Sequence, residues 1–226
     1  MIQEIKLIFN SETRALAKIF EHFLAYTFGV KSLESIHLSQ DYELLIYGTD
    51  QRTELHKKLY SEFDSGNTSS VVLHYNRFIY KCAKDLFNRT GINRWAFQRF
   101  PSLRVQFPGN VSVFEFHRDS DYNHPIGELN HFLSVTTSHQ TSALWVEQNL
   151  GWGDYKPLNL RKGEMAILDT SVFRHGDKLN NEGHTRVSID FRALPLEALN
   201  ELGSKESISA KLRFDTSGYY TLIEIL

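Results

Sequence analysis

The chain has 226 residues, 41% hydrophobic and 23% charged, an ordinary globular balance that allows one sizeable core. Twenty-five basic side chains against 27 acidic ones give a formal charge of −2, which argues against a nucleic-acid or membrane-surface partner. The single cysteine excludes an internal disulfide framework, and no window approaches the roughly 18 consecutive apolar residues of a membrane span.

The opening stretch MIQEIKLIFN has acidic and polar breaks and lacks a small-residue cleavage site, so it does not read as a signal peptide and a soluble, cytoplasmic protein is expected. Ile2, Ile5, Leu7 and Phe9 alternate enough for a short strand over residues 2–9. Asn10 and Ser11 then offer N-caps for a helix over about 12–28, with Leu16, Ile19, Phe20 and Phe23 on one face. LLIYGT (44–49) reads as a strand and TELHKKLYSEF as a helix. GNTSS marks a boundary at which Ser69 or Ser70 caps the clearest helix, whose apolar face is Val71, Val72, Tyr75, Phe78, Ile79, Cys82 and Leu86. Cys82 is therefore expected as a small buried hydrophobe rather than a nucleophile.

After about residue 92 the character changes. Short β-branched and aromatic runs follow one another (RWAFQRF, LRVQF, VSVFEFH, NHFLSVTT, ALWVEQ, EMAILDT, TRVSIDFRAL), separated by Gly, Pro, Asn and Ser. Such spacing predicts a sandwich, jelly roll or barrel. A short helix (LEALNELG) and a strand near YYTLIEI close the chain. The expected class is α+β, mainly β, as a single domain over 1–226. Its part over about 1–91 is mainly helical and braces a β core over about 92–226.

The densest cluster of ligand-type side chains is FHRDSDYNHP, residues 116–125. By alternation in VSVFEFH, Val111, Val113, Glu115 and His117 share one face. Asp119, two residues on, points the same way while the chain is extended. His175 in DTSVFRHGDKLN, just after EMAILDT, is the best candidate for a second imidazole. Two histidines and one carboxylate leave adjacent coordination positions open, the arrangement associated with non-haem Fe(II) oxygenases. The bland alternative for His117 and Asp119 is a hydrogen-bonded pair at a surface turn. Asp121 and His124 are rival ligands in the same loop, although Pro125 and the loop setting favour a lid or surface place for His124. His131 and His139 flank a strand and read as structural or solvated.

Arg186, Ser188, Asp190 and Arg192 line one face of TRVSIDFR. Arg186 presents a rigid fork to carboxylates, and a hydroxyl on its face adds a donor; the competing reading pairs Arg186 with a core carboxylate such as Asp190. His184 would share that face. An H-x-D pair, a distant histidine and R-x-S about one strand later resemble the Fe(II)/2-oxoglutarate-dependent oxygenase superfamily, over roughly residues 100–195. The runs LWVE, HG…N and TRVSIDFR are similar to the streptomycin-biosynthesis StrG-like group within it.

The resemblance implies a double-stranded β-helix, or jelly-roll, core in which His117, Asp119 and His175 hold Fe(II). Arg186, helped by Ser188, would bind the distal carboxylate of 2-oxoglutarate. The implied reaction consumes O2 and converts 2-oxoglutarate to succinate and CO2 while hydroxylating an unactivated C–H; Asp119 disfavours halogenation, since halogenases keep a small residue at that place. Arg104 and Gln106 on one face of LRVQF, Asn130, Trp145 with Glu147, and Arg192 are candidate contacts to a small polar organic substrate. The bland reading of each is a cross-strand pair or strand-end charge. The helical region before residue 92 would cover the barrel, form a homodimer contact or contribute a lid. Two rival functions stand beside the oxygenase: a cupin-type metalloenzyme that does not use 2-oxoglutarate, and a non-catalytic jelly-roll binding module.

Overall fold

The computed structural model describes residues 1, 3–39, 54–64, 69–112, 115–200, 206–208 and 211–226. The strand expected at 44–49 lies outside the described residues.

Strand β1 (Lys6–Ile8) leads into helix α1 (Ser11–Phe28). Asn10 caps that helix: its side-chain oxygen accepts from the Thr13 backbone N–H at 2.9 Å, and the Thr13 hydroxyl accepts from the Asn10 N–H at 3.2 Å. The reciprocal pair satisfies two of the N–H groups a helix start leaves bare. A 3₁₀ turn (Leu33–Leu38) and helix α2 (Glu54–Asp64) precede α3 (Ser70–Thr90). The expected apolar face of α3 is buried from Val71 to Leu86, Cys82 included, with Val72 partly covered.

The strands that follow are β2 (Arg94–Gln98), β3 (Ser102–Gln106), β4 (Leu129–Ser134), β5 (Leu144–Glu147), β6 (Tyr155–Leu158), β7 (Met165–Leu168), β8 (His175–Asp177) and β9 (Arg186–Pro195). Helix α4 (Leu196–Asn200) and strand β10 (Tyr220–Glu224) complete the order. All strand pairs among the described residues are antiparallel. The large sheet runs β1-β7-β4-β9-β2-β10, with β3 also on β9, and the small sheet runs β6-β5-β8. Phe132, Ala166 and Leu168 of the large sheet pack against Leu144, Val146 and Leu158 of the small one, closing a jelly roll.

Strand β9 organises the molecule. Val187, Ile189, Phe191 and Ala193 join the core shared with α1 and α3, whereas Arg186, Ser188, Asp190 and Arg192 are buried on the opposite face, between the sheets. A strand with apolar residues on one face and charged ones on the other is normally half-exposed. Here helices cover the apolar face and the small sheet covers the polar one, so all ten residues except Pro195 are buried.

Among the described residues the structure departs from the expected strands in three places. β6 contains Pro157, tolerated because it lies on the edge of the small sheet. β8 is three residues of HGD, too short and too polar to signal a strand. VSVFEFH is not a strand among its described residues: only His117 pairs, through reciprocal backbone bonds with His175 of 3.0 and 2.9 Å. Among its described residues, the Val111 N–H donates to Asn110 Oδ1 at 2.8 Å and the Ser112 hydroxyl to Asp177 Oδ2.

Candidate metal centre

His117 reaches the centre from the segment that bridges to β8, and His175 opens β8 itself. Arg118 is extended at φ −102°, ψ 147°, which preserves the i, i+2 convergence of His117 and Asp119, and a 3₁₀ turn begins at Asp119. The Asp119 N–H donates to the Thr170 carbonyl at 2.8 Å, tying this turn to the loop after β7.

Three donor atoms, one each from His117, Asp119 and His175, lie within 4.8 Å of one another and could hold one metal ion. Both imidazoles face the same carboxylate oxygen, His117 Nε2 at 3.9 Å and His175 Nε2 at 3.8 Å from Asp119 Oδ1. The Nδ1 of His117 is bonded to the Glu115 carbonyl at 2.8 Å, which turns Nε2 toward the centre. Burial pushes the His117 imidazole below its ordinary range; burial, then the neighbouring His117, pushes His175 down to about 4. Burial alone would raise the Asp119 carboxyl, but the Arg192 guanidinium, with His175 and His124, holds it well below the usual carboxylate range. Neutral imidazoles and an ionised carboxylate are the protonation states in which these groups bind a metal.

The rivals in the loop are occupied elsewhere. Asp121 accepts the Arg118 N–H at 3.0 Å, and His124 is bonded to Glu128 at 2.7 Å. His131 is buried against Phe191, and His139 stacks on His184.

Deeper in the cavity, Arg186 is 1% exposed. It pairs with a core carboxylate, but with Asp177 rather than Asp190: Nη2 donates to Asp177 Oδ2 at 3.0 Å and to Ser112 Oγ at 2.6 Å. Its Nε and Nη1, and the Ser188 hydroxyl, are buried with no partner among the described residues. Unpartnered buried donors of this kind are costly unless a ligand takes them. The cavity, about 340 Å³ counted with its open mouth, also has Arg104, Asn130 and Arg192 on its wall. Arg104 donates to Asp190 Oδ1 at 3.0 Å, and Arg192 turns its fork onto Asp119, at 3.0 and 3.1 Å.

Three expected contacts lie off the cavity. Alternation on β5 puts Leu144 inward, so Trp145 faces out beneath Lys178, whose Nζ is 3.4 Å from the ring centroid. Glu147 is buried, but it accepts the N–H groups of Gly151, Gly153 and Arg174 and anchors the loop after β5. Gln106 spends its amide on the Asn110 and Lys178 carbonyls. Asp177, Ser112 and Thr170 were missed. His175-Gly176-Asp177 is a second His-x-Asp in the sequence, but β8 is too short and polar to signal that the two side chains share a strand face.

No protein-family model matches the chain. The fold is shared with solved structures. A non-heme monooxygenase, ThoJ in its nickel complex, superposes with a TM-score of 0.54 over 86% of this chain and 74% of that one, at 9% identity. AviO1 from Streptomyces viridochromogenes Tue57 gives a TM-score of 0.50 over 85% of this chain and 90% of that one, at 12% identity. In sequence, the chain is 28% identical over 175 residues to the streptomycin biosynthesis protein StrG of Streptomyces griseus, covering 77% of this chain and 79% of StrG. The likeness to the StrG-like group read from LWVE and TRVSIDFR is thus carried by most of the chain. No helix among the described residues is long and apolar enough to cross a membrane.

Proposed function

We propose that the protein is a non-haem Fe(II)- and 2-oxoglutarate-dependent oxygenase that hydroxylates an unactivated C–H of a small polar biosynthetic metabolite. The observation that carries this reading is one cavity lined both by His117 and His175 of the donor cluster and by Arg186. It brings together three metal-competent donors and an arginine with two buried, unpartnered nitrogens.

The donor set fits a divalent iron: two imidazoles and one carboxylate, with no fourth protein ligand among the described residues. When bound, the iron would supply O2 activation coupled to oxidative decarboxylation of 2-oxoglutarate. The chain's own contribution is positional. Arg186 and Ser188 offer donors to the distal carboxylate of the cosubstrate, and Ser112 and Asp177 hold one end of the Arg186 fork so that the other end faces the ligand. Phe132 and Leu144 supply the apolar part of the cavity wall. Arg104 and Asn130 line the same cavity and would contact a polar substrate there. The StrG relationship supports a biosynthetic metabolite as substrate.

The test is aerobic incubation with Fe(II), 2-oxoglutarate and panels of hydroxyl- and amine-bearing metabolites, with succinate as the readout. Succinate should form at a slow uncoupled rate alone and faster with the true substrate. Absence of succinate under every condition would favour the cupin-type metalloenzyme or the binding module.

A further inference from the structure

We infer that Arg192 and Thr170 act as positioning residues that assign the two oxygens of Asp119 to different tasks, Oδ1 to the metal and Oδ2 to the protein, so that Asp119 binds the metal through one oxygen. The inference rests on the metal site proposed above and says how its open positions are kept open.

The two oxygens have different surroundings. Oδ1 faces both imidazoles at 3.9 and 3.8 Å and accepts one hydrogen bond, from Arg192 Nη2 at 3.1 Å. Oδ2 accepts two, from Arg192 Nε at 3.0 Å and from the Thr170 hydroxyl at 2.5 Å. A carboxylate oxygen has about two lone-pair directions. Oδ2 therefore has none left for a cation, and Oδ1 has one, directed to the space between the histidines. The planar Arg fork fixes the carboxylate plane, and a lysine could not reproduce this.

The clamp is itself held. Arg192 Nη1 donates to Asp190 Oδ2 at 3.0 Å and to Gln98 Oε1 at 3.3 Å. Thr170, 1% exposed, holds Asp119 twice, by its hydroxyl and by its backbone carbonyl. If Asp119 rotated to offer both oxygens, one of the coordination positions needed by cosubstrate and O2 would be filled.

The experiment uses Co(II) alone, without cosubstrate or substrate, on the whole protein. Calorimetric titration of wild type, Thr170→Val, Thr170→Ser and Arg192→Lys is paired with a crystal structure of the Co(II)-loaded wild type. Loss of an outer-shell partner typically costs about 10- to 100-fold in metal affinity. Thr170→Val should bind Co(II) about tenfold more weakly, and Thr170→Ser, which keeps the hydroxyl, should restore wild-type affinity. A purely packing role would not separate these two variants in that order. Arg192→Lys should be weaker still; because it disturbs a buried ion network, the threonine pair keeps the test decisive should it fail to fold. The loaded crystal should show Oδ1 alone on Co(II), with Oδ2 still on Arg192 and Thr170. Equal affinities for the Val and Ser variants, or both oxygens on Co(II), would overturn the inference and leave the metal site intact. Failure of the wild type to bind Co(II) would overturn both.

Discussion

Arg186 and Asp177 form an ion pair of 3.0 Å between β9 and β8, with side chains 1% and 0% exposed. The arginine expected to greet a cosubstrate carboxylate thus already has a protein carboxylate on one nitrogen. Removing one partner of a buried pair strands the other, at about 3–5 kcal/mol, so Arg186→Ala alone would confound stability with binding. Asp177→Asn strands the Arg186 charge in the same way in the free protein, and a bound cosubstrate carboxylate would restore its partner, so the apparent 2-oxoglutarate constant should tighten. The informative comparison for Arg186 is Arg186→Ala/Asp177→Asn against Asp177→Asn. The double variant loses a charge-assisted contact worth about 1.5–3 kcal/mol, so its apparent constant should rise roughly ten- to a hundredfold. An unchanged constant in the double variant would reassign Arg186 to structure.

Loss of an imidazole should be read first as lost metal stabilisation. A ligand at a hundred times its dissociation constant stabilises the folded state by about 2.7 kcal/mol. Saturating Co(II) or Fe(II) should therefore raise the melting temperature of the wild type and leave that of His175→Ala unmoved, with turnover abolished. Asp119→Ala should behave alike, with an added loss of stability because Arg192 keeps its charge and loses both bonds to Asp119. A normal metal-induced shift in His175→Ala would remove that residue from the site.

What could be read beforehand divides along physical lines. Long periodic elements were legible: the α1 and α3 faces, and the two faces of β9, where a single strand carries both the apolar layer and Arg186, Ser188, Asp190 and Arg192. His117, Asp119 and His175 were reachable because ligand geometry constrains residue type and spacing more tightly than a strand does. Trp145 and Glu147 share the face of β5 that does not line the cavity. Leu144 and Val146, the apolar pair, set the register instead, and burial outweighs functional appearance. The partner of Arg186 was not legible, because Asp177 comes from a three-residue strand whose position depends on a tertiary bridge.

Gly176 lies where two backbones nearly touch. A Cβ there would meet Phe116 Cα and Cγ at 3.1 Å and the Glu115 carbonyl oxygen at 3.2 Å. Gly176→Ala requires the 115–117 segment to give by a few tenths of an ångström, which strains the His117–His175 bridge. A stability loss of about 1–3 kcal/mol, typical of overpacking, should accompany weaker Co(II) binding. Wild-type metal affinity in this variant would show that the bridge does not position His117.

Stability should fall as pH is lowered from about 6.5 to 4, through buried histidines that stay neutral. Burial pushes His131 from 6.5 down to about 4, and His56, also desolvated and facing Arg104, to about 4. Between these values the unfolded chain binds protons the folded one refuses, so stability rises with pH across the window and is fully present above it. For fully buried His131 the effect is about 3 kcal/mol at one pKa unit per 1.36 kcal/mol. His131→Phe, which keeps a ring against Phe191, should flatten the slope between pH 4.5 and 6.5; an unaltered slope would place the titration elsewhere.

The central claim is tested most directly by anaerobic titration of Fe(II) and 2-oxoglutarate into the protein, followed by visible absorption. The account predicts a metal-to-ligand charge-transfer band that needs both components, saturates at one equivalent of each, and is absent in His175→Ala. A protein that binds Fe(II) but shows no such band with 2-oxoglutarate, or one whose band survives loss of His175, would contradict it.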